Sequence, residues 1–287
     1  MSHALKKPSA HPVKDWMSHL RLTSKLVAKK WTKGFTVKIP IYTETDTYIL
    51  KTAETLQEID LALKLRHLVF FEELQQKKKF FKIELDELDL NCDHLLIYSK
   101  QDSKVVGTYR LFSSHFFDRF YSEDEFDLTL FKKTPGHKLE LGRACVLKEH
   151  RNGTVMQLLW RGISKYMQIT DSRWLLGCSS VQTLDPSIIT AMTFKLHHEG
   201  YTDNTFKVHP THLYHPETHG IWFKNFTDPK IPLPAVEIPP LLHSYLKAGA
   251  KVALEPAIDV SFNCIDYLTI MDTQHMNPLF KRRFFNA

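Results

Sequence analysis

The 287-residue sequence predicts a layered α/β domain. Three observations carry that prediction. His94–Ser99 and Lys104–Phe112 read as paired strands around a Gln101-Asp102-Ser103 turn. A central strand over 139–147 runs into an amphipathic helix after residue 154. A further strand, Arg173–Val181, precedes a helix opened by Asp185-Pro186, with a cap and a first-turn proline in their expected places. Strand, strand, helix, strand, helix, in that order, gives helices layered on a sheet.

From the N-terminus, residues 1–13 read as a loose tail and 14–33 as a basic amphipathic helix. Trp16, Leu20, Val27 and Trp31 fall near one face, with Lys14, Arg21, Lys25, Lys29, Lys30 and Lys33 around it. That pattern suits a helix lying on an anionic membrane surface and equally a surface helix packed on its own domain. Residues 40–52 are extended, with Ile41, Tyr42, Tyr48, Ile49 and Leu50. A helix starts at Thr52 or Thr55, either of which can cap it. Leu56, Ile59, Leu63, Val69 and Phe70 form its apolar stripe, and Arg66 lies on it or at its end. Lys77, Lys78, Lys79 and Lys82, interleaved with Phe80 and Phe81, read as a solvated loop or as a dock for lipid headgroups or an acidic protein.

Residues 84–93 are acidic. A calcium loop counted from Asp89 needs glycine at its sixth position and glutamate at its twelfth, where His94 and Lys100 stand, so that reading fails. Asp86, Asp89 and Asp93 either form turns and caps or make the anionic wall of a pocket for an amine. Arg110 ends the second strand, and a longer aromatic and acidic stretch, 113–136, leads to the central one. There Leu139, Leu141, Cys145 and Leu147 are the apolar positions. Gly142 interrupts the alternation and marks a bulge or a close backbone approach. Glu140 and Arg143 emerge near one site. The strand breaks at Arg151-Asn152-Gly153-Thr154, with Thr154 as the expected cap of a helix carrying Val155, Leu158, Leu159, Ile163, Tyr166 and Met167 at helical spacing. A splayed strand feeding a helix N-terminus is suited to hold a phosphate and an extended thioester arm.

The second helix stops near Gly200. His209, His212, His215 and His219 invite a metal reading, but Pro210 and Pro216 prevent one regular helix from presenting them and no cysteine or paired carboxylate joins them; no metal ligand is assigned. Residues 228–240 form a stiff proline-rich connector. A short helix, Leu241–Ala248, and extended segments near 251–254 and 264–271 follow. A basic-aromatic tail over 276–287 closes the chain.

The net charge of +6 favours acidic partners. Cys92, Cys145, Cys178 and Cys264 form no Cys-x-x-Cys pair, which fits a reducing compartment. No signal-peptide pattern opens the chain, and no apolar run approaches the ~18 residues of a membrane span, so a cytoplasmic or membrane-peripheral protein is expected. No nucleic-acid motif is present. Cys145 and Cys178 fall in buried strands, where cysteine behaves as a small hydrophobe. There is no Gly-x-Ser-x-Gly elbow, Walker loop or Gly-x-Gly-x-x-Gly fingerprint. A carboxylate and arginines converging on the central strand remain. Taken alone, Glu140-x-x-Arg143 reads equally as a structural ion pair.

Several runs resemble a known family. They are Leu65-Arg66-His67-Leu68-Val69-Phe70, Asp86-x-x-Asp89-x-x-Cys92-Asp93-His94, Val105–Leu111 with Arg110, Leu139-Glu140-Leu141-Gly142-Arg143-Ala144-Cys145-Val146, Leu158–Ile163, Gly177–Ser180, Asp185-Pro186 and Pro239–Ala250. Together they are similar to the bacterial ornithine lipid N-acyltransferases of the GNAT superfamily, relatives of acyl-homoserine lactone synthases and N-acyl amino acid synthases. The resemblance implies a GNAT-like mixed central sheet flanked by helices over residues 40–275, preceded by the tail and basic amphipathic helix of 1–39.

It implies transfer of a 3-hydroxy fatty acyl group from acyl carrier protein to the α-amine of an amino acid, ornithine in the best-known members, giving a lyso-aminolipid at the inner membrane. No bound cofactor is implied; the acyl-carrier-protein thioester is a co-substrate. Glu140 and Arg143 carry over as catalytic, and Arg66, Phe70, Asp86, Asp89 and Arg110 as substrate-binding. The aspartates are set against the cationic acceptor. The arginines are set against its carboxylate, the acyl hydroxyl or a phosphate, without a division among them. Val146, Arg151, Asn152, Gly153 and Thr154 are placed at the donor. The phosphate loop departs from the superfamily pattern: its glycine comes one position early and a second small residue is missing, which favours a donor with one phosphate over coenzyme A. His67 stands where the family often has an aromatic residue. The rival readings are a signal synthase releasing a soluble acyl amino acid or lactone, and a non-enzymatic basic protein on a membrane surface.

Overall fold

Each extended segment leaves a row of backbone donors and acceptors that only a neighbouring strand can satisfy, and the apolar segments accordingly join one sheet. The computed structural model describes residues 35–76, 83–221 and 232–284. The expected N-terminal helix, the lysine run and most of the proline-rich connector's first half lie outside the described residues.

The strands are β1 Tyr42–Glu44, β2 Tyr48–Thr52, β3 Asp93–Ser99, β4 Lys104–Ser113, β5 His137–Val146, β6 Ser172–Val181, β7 Lys251–Val252, β8 Ala257–Asp259 and β9 Cys264–Asp272. Their order is β1-β2-β3-β4-β5-β6-β9-β7, with β8 also paired to β9. All pairs are antiparallel except β5 with β6, so the sheet is mixed, as expected. The helices are α1 Leu56–His67, α2 Thr129–Lys132, α3 Thr154–Ile169, α4 Pro186–His198, α5 Pro240–Ala248 and α6 Pro278–Phe284.

Thr55 caps α1 by accepting from the Glu58 N–H at 3.2 Å. The helix then widens into a π-helical turn, Leu68–Leu74, which delivers Phe70 and Leu74 toward the site. Such widened turns recur at functional positions. Asp185 caps α4 by accepting from the Ser187 N–H at 2.8 Å, with Pro186 in the first turn.

Alternation along the strands separates two layers. Leu139, Leu175 and Met271 face α1 and α3, where Ile59, Leu63, Val155, Leu159 and Ile163 are fully buried. Leu176 and Leu268 face the opposite layer, where Phe120, Phe126 and Phe131 are buried with Trp174. The aromatic stretch between β4 and β5 thus covers the second face of the sheet, each large side chain contributing about 1.5–3 kcal/mol by leaving water.

Within the basic-aromatic tail, 276–287, the chain turns helical again. Residues 278–284 form α6, and the rings of Phe280 and Phe284 lie 4.9 and 6.0 Å from that of Trp160 on α3. The two phenylalanines withdraw apolar area from water there, while Leu279, Lys281, Arg282 and Arg283 stay exposed. No helix among the described residues is long and apolar enough to cross a membrane.

Candidate active site

The site begins with two irregularities in β5. Thr108 pairs with Cys145 and Arg110 with Gly142, so Tyr109 on β4 faces two residues, Arg143 and Ala144. This is a β-bulge, and Arg143 adopts a left-handed φ of 54° within it. The second irregularity is the partner strand. Parallel pairing of β5 with β6 ends at Glu140↔Leu176, although both strands continue. Beyond that point they part, as the sequence suggested.

Gly177 sits where they part: a Cβ there would lie 2.3 Å from the Leu141 carbonyl oxygen. The obstacle is backbone and cannot rotate away. Gly177→Ala is therefore expected to force the strands apart where they still touch and to cost about 1–3 kcal/mol, read from its denaturant midpoint.

A cavity of about 280 Å³ passes through this opening. On the α1–α3 side Leu141, Trp160, Leu175, Tyr245 and Met271 line it, and the Tyr109 and Tyr245 hydroxyls are hydrogen-bonded to each other. On the other side the lining changes to Tyr121, Glu125, Glu140, Cys178, Asp259 and Asp266. One cavity thus joins an apolar chamber to an acidic basin through a gap in the sheet.

Of the residues expected at the site, Phe70, Arg110, Glu140 and Arg143 line the cavity. Glu140 accepts from the Tyr121 N–H at 2.6 Å, the Ser122 N–H at 2.8 Å and the Ser122 hydroxyl. Burial nevertheless raises its pKa above the ordinary value, against those donors and Arg110.

Arg66, Asp86 and Asp89 are held in an ion network beside the cavity. Arg66 is fully buried; it binds Glu84 and donates to both Asp89 oxygens at 2.6 and 3.2 Å. Arg110 binds Asp86 and reaches Asp89 at 3.2 Å, while Arg143 donates to Glu84 at 3.2 Å and Asp86 at 3.3 Å. Burial alone would raise the Asp89 carboxyl, but Arg66 and Arg110 outweigh it and hold the group well below the usual range. Asp86 and Asp89, expected as an anionic wall for an amine, are each paired with arginines beside the cavity. Tyr121 closes the network from the cavity side, with Arg143 over its ring at 4.4 Å and Arg110 at 5.3 Å.

Glu125, Asp259 and Asp266 were not anticipated. Burial pushes Asp266 up to about 6, with Asp259 adding to the effect, and raises Glu125 and Asp259 as well. The folded protein thus holds these protons more tightly than the unfolded chain, whose aspartate titrates near ~3.9. Their contribution to stability is full below that pH and is lost as pH rises through about 6 for Asp266. Asp266→Asn, which can keep the bond from the Ser180 hydroxyl, is expected to gain up to about 3 kcal/mol above pH 6 and little below pH 4. Denaturation midpoints across pH test this, and a pH-independent difference would refute it.

The turn expected at the donor, 151–154, differs in detail. Gly153, at φ 90°, occupies the cap position and Thr154 is the first helical residue; Asn152 accepts from the Thr154 N–H at 3.0 Å. The asparagine side chain supplies the cap expected from Thr154, and glycine takes the left-handed turn without strain. Arg151 donates to the Val146 carbonyl at 2.9 Å and to Glu73 at 2.8 Å.

Burial raises Cys178 well above its ordinary value and Cys145 to about 12, so neither is a ready thiolate. His209 meets Glu255 at 3.2 Å, His215 caps a short turn and His219 bonds the Leu213 carbonyl at 2.7 Å. Among the described residues, the clusters with metal-ligand geometry are Asp89–Cys92–His94 and Asp259–Cys264–Asp266, away from those histidines.

Residues 65–161 match the acetyltransferase (GNAT) domain family. The chain is 30% identical over 243 residues to the L-ornithine N(alpha)-acyltransferase of Rhodobacter capsulatus, across 80% of this chain and 92% of that protein. It is also 30% identical over 243 residues to the L-ornithine N(alpha)-acyltransferase of Brucella abortus, across 79% and 85%. The crystal structure of the AHL synthase LasI aligns over 84% of this chain and 95% of that one, at 12% identity and a TM-score of 0.46. The agreement with the two curated enzymes spans most of each chain, and on that ground the protein is an acyltransferase that belongs to the L-ornithine N(alpha)-acyltransferase family.

Proposed function

We propose that the enzyme transfers a fatty acyl group from acyl carrier protein to the α-amine of an amino acid, ornithine above all, forming a lyso-aminolipid. The observation that carries this reading is the single cavity that is apolar on one side of the sheet and acidic on the other. An acyl chain suits the chamber of Trp160, Leu175 and Tyr245, and a cationic acceptor suits the basin. The thioester then lies in the gap, against the β5 edge freed from β6. Backbone N–H groups on that edge can stabilise the tetrahedral oxyanion.

The chemistry asks little of a base. An α-amine with a pKa near ~8 is roughly a tenth neutral at pH 7, whereas a side-chain amine near ~10 costs a further ~3 kcal/mol. Glu140 takes the proton directly or through one water, and Arg143, poised above Tyr121, holds the acceptor carboxylate or the polar end of the acyl group. Positioning supplies most of the acceleration.

A carrier-protein donor is favoured by the engagement of Arg151 with Glu73 and the Val146 carbonyl, which occupies the turn's one arginine. What remains is a helix N-terminus fit for one phosphate. The net charge of +6 suits both an acidic carrier and the anionic membrane surface that would receive the product.

The test is purified protein with ornithine and either 3-hydroxyacyl carrier protein or the matching acyl-CoA, with amide products read by mass spectrometry. The expected product is N-acylornithine, formed at least about tenfold faster per donor concentration from the carrier, a margin of ~1.4 kcal/mol. Absence of any amide would overturn the reading. A lactone or another soluble acyl product would favour the signal-synthase alternative.

A further inference from the structure

The acidic side of the cavity holds more negative charge than its own cations answer. Arg110 and Arg143 are the basic residues among its described lining, and both are committed to Asp86, Asp89 and Glu84. Glu140 is met by two backbone N–H groups and a hydroxyl. Glu125, Asp259 and Asp266 are left facing the cavity. Asp259 accepts from the Phe262 N–H at 3.0 Å, and Asp266 from the Ser180 hydroxyl at 2.6 Å. Glu125 is 1% exposed, and its Oε2 has no hydrogen-bond partner among the described residues. A buried carboxylate oxygen without a donor is costly unless a ligand supplies one. The rings of Tyr121 and Phe262 share the lining, with Arg143 over them at 4.4 and 5.8 Å.

Resting on the acyltransfer reading above, we propose that Glu125, Asp259 and Asp266 form the subsite for the side-chain ammonium of a diamino acid acceptor. An ammonium carries three N–H donors, one for each carboxylate. The acceptor then spans the basin, its second amine held charged and unreactive among the carboxylates and its α-amine left at the gap where β5 and β6 part. Burial raises the proton affinity of all three acids, and a cation among them would offset that cost. A divalent metal is the rival occupant, since Asp259, Cys264 and Asp266 lie close enough to share an ion. Glu125, which carries the unpartnered oxygen, stands outside that set, and the Cys264 thiol donates to Asp266. Both points favour the ammonium.

The test compares ornithine with norvaline, which has the same carbon chain and lacks the second amine. The wild-type enzyme is expected to favour ornithine by at least about 100-fold in kcat/KM, because the vacated carboxylates are left unpaired. Glu125→Gln and Asp266→Asn are each expected to cut that ratio about tenfold or more. A merely structural role would slow both acceptors together and leave the ratio unmoved, and that result would overturn the proposal. So would a wild-type ratio near one, which needs no variant to fold. Calorimetric titration with Zn²⁺ or Mg²⁺ alone adds a third arm. Tight binding that Asp266→Asn abolishes, with ornithine giving no preference, would assign the cluster to a metal instead. If neither amino acid is acylated, the acyltransfer reading itself falls, and the subsite with it.

Discussion

Arg66→Ala is expected to destabilise the protein by about 3–5 kcal/mol, measured by urea denaturation at pH 7. Arg66, Glu84, Asp86, Asp89, Arg110 and Arg143 interlock through ion pairs, and Arg66 and Asp89 are fully buried. Removing one guanidinium leaves Asp89 and Glu84 short of the partner that offset their desolvation. The cavity alone does not explain a loss of this size. Arg66→Met, which refills most of the volume without the charge, should therefore recover only a minor part of it. The pH dependence separates the causes further. The depressed Asp89 pKa contributes stability above the unfolded value of ~3.9, and that contribution is lost as pH falls. The gap between wild type and Arg66→Ala should thus narrow in acid. A gap that stays constant down to pH 3 would point to lost packing and against the ionic account.

That network also shows what the sequence could and could not carry. Periodicity gave β3, β4, β6 and α3, and local chemistry gave the cap at Asp185 and narrowed the first helix's cap to Thr52 or Thr55, because those features are decided by neighbours along the chain. Glu140 and Arg143 were legible as two charges on an apolar strand beside a glycine, which taken alone reads equally as an ion pair; both line the cavity. Asp86 and Asp89 were legible as charged residues of note, but their pairing with arginines was not. Their charge is visible in the sequence, but the approach of Arg66 and Arg110 is a tertiary fact. Glu125, Asp259 and Asp266 come together only when β8 and β9 fold beside the stretch before β5. One signal was available: Asp266 is an acid inside the mostly apolar strand Cys264–Asp272, whose other acid is its last residue, and an interior acid is seldom buried without a purpose. The Thr154 cap was displaced by its neighbour Asn152, and Phe280 and Phe284 found Trp160, far away in sequence.

Glu140→Gln is expected to lower kcat/KM for amide formation by about 10²–10⁴-fold, the usual yield of a positioned proton acceptor. The size of that loss alone does not identify the role, because Glu140 also anchors the turn that sets Tyr121 over Arg143. A glutamine has one acceptor oxygen, and its amide would face a backbone N–H that the second carboxylate oxygen now accepts. The pH–rate profile distinguishes the two. With wild type, the rate should rise with pH through the raised Glu140 pKa as the carboxylate forms, and again near ~8 as the free α-amine loses its proton. Glu140→Gln should erase the acidic limb and keep the limb near ~8. Ser122→Ala supplies the converse. It removes a donor to the charged carboxylate without touching the carboxylate itself, so it should move the acidic limb to higher pH with a much smaller loss of rate. A Glu140→Gln enzyme that is slow yet keeps the acidic limb would make Glu140 a buttress for Tyr121. The proton would then have to leave by another route, with the basin acids as the next acceptors to examine.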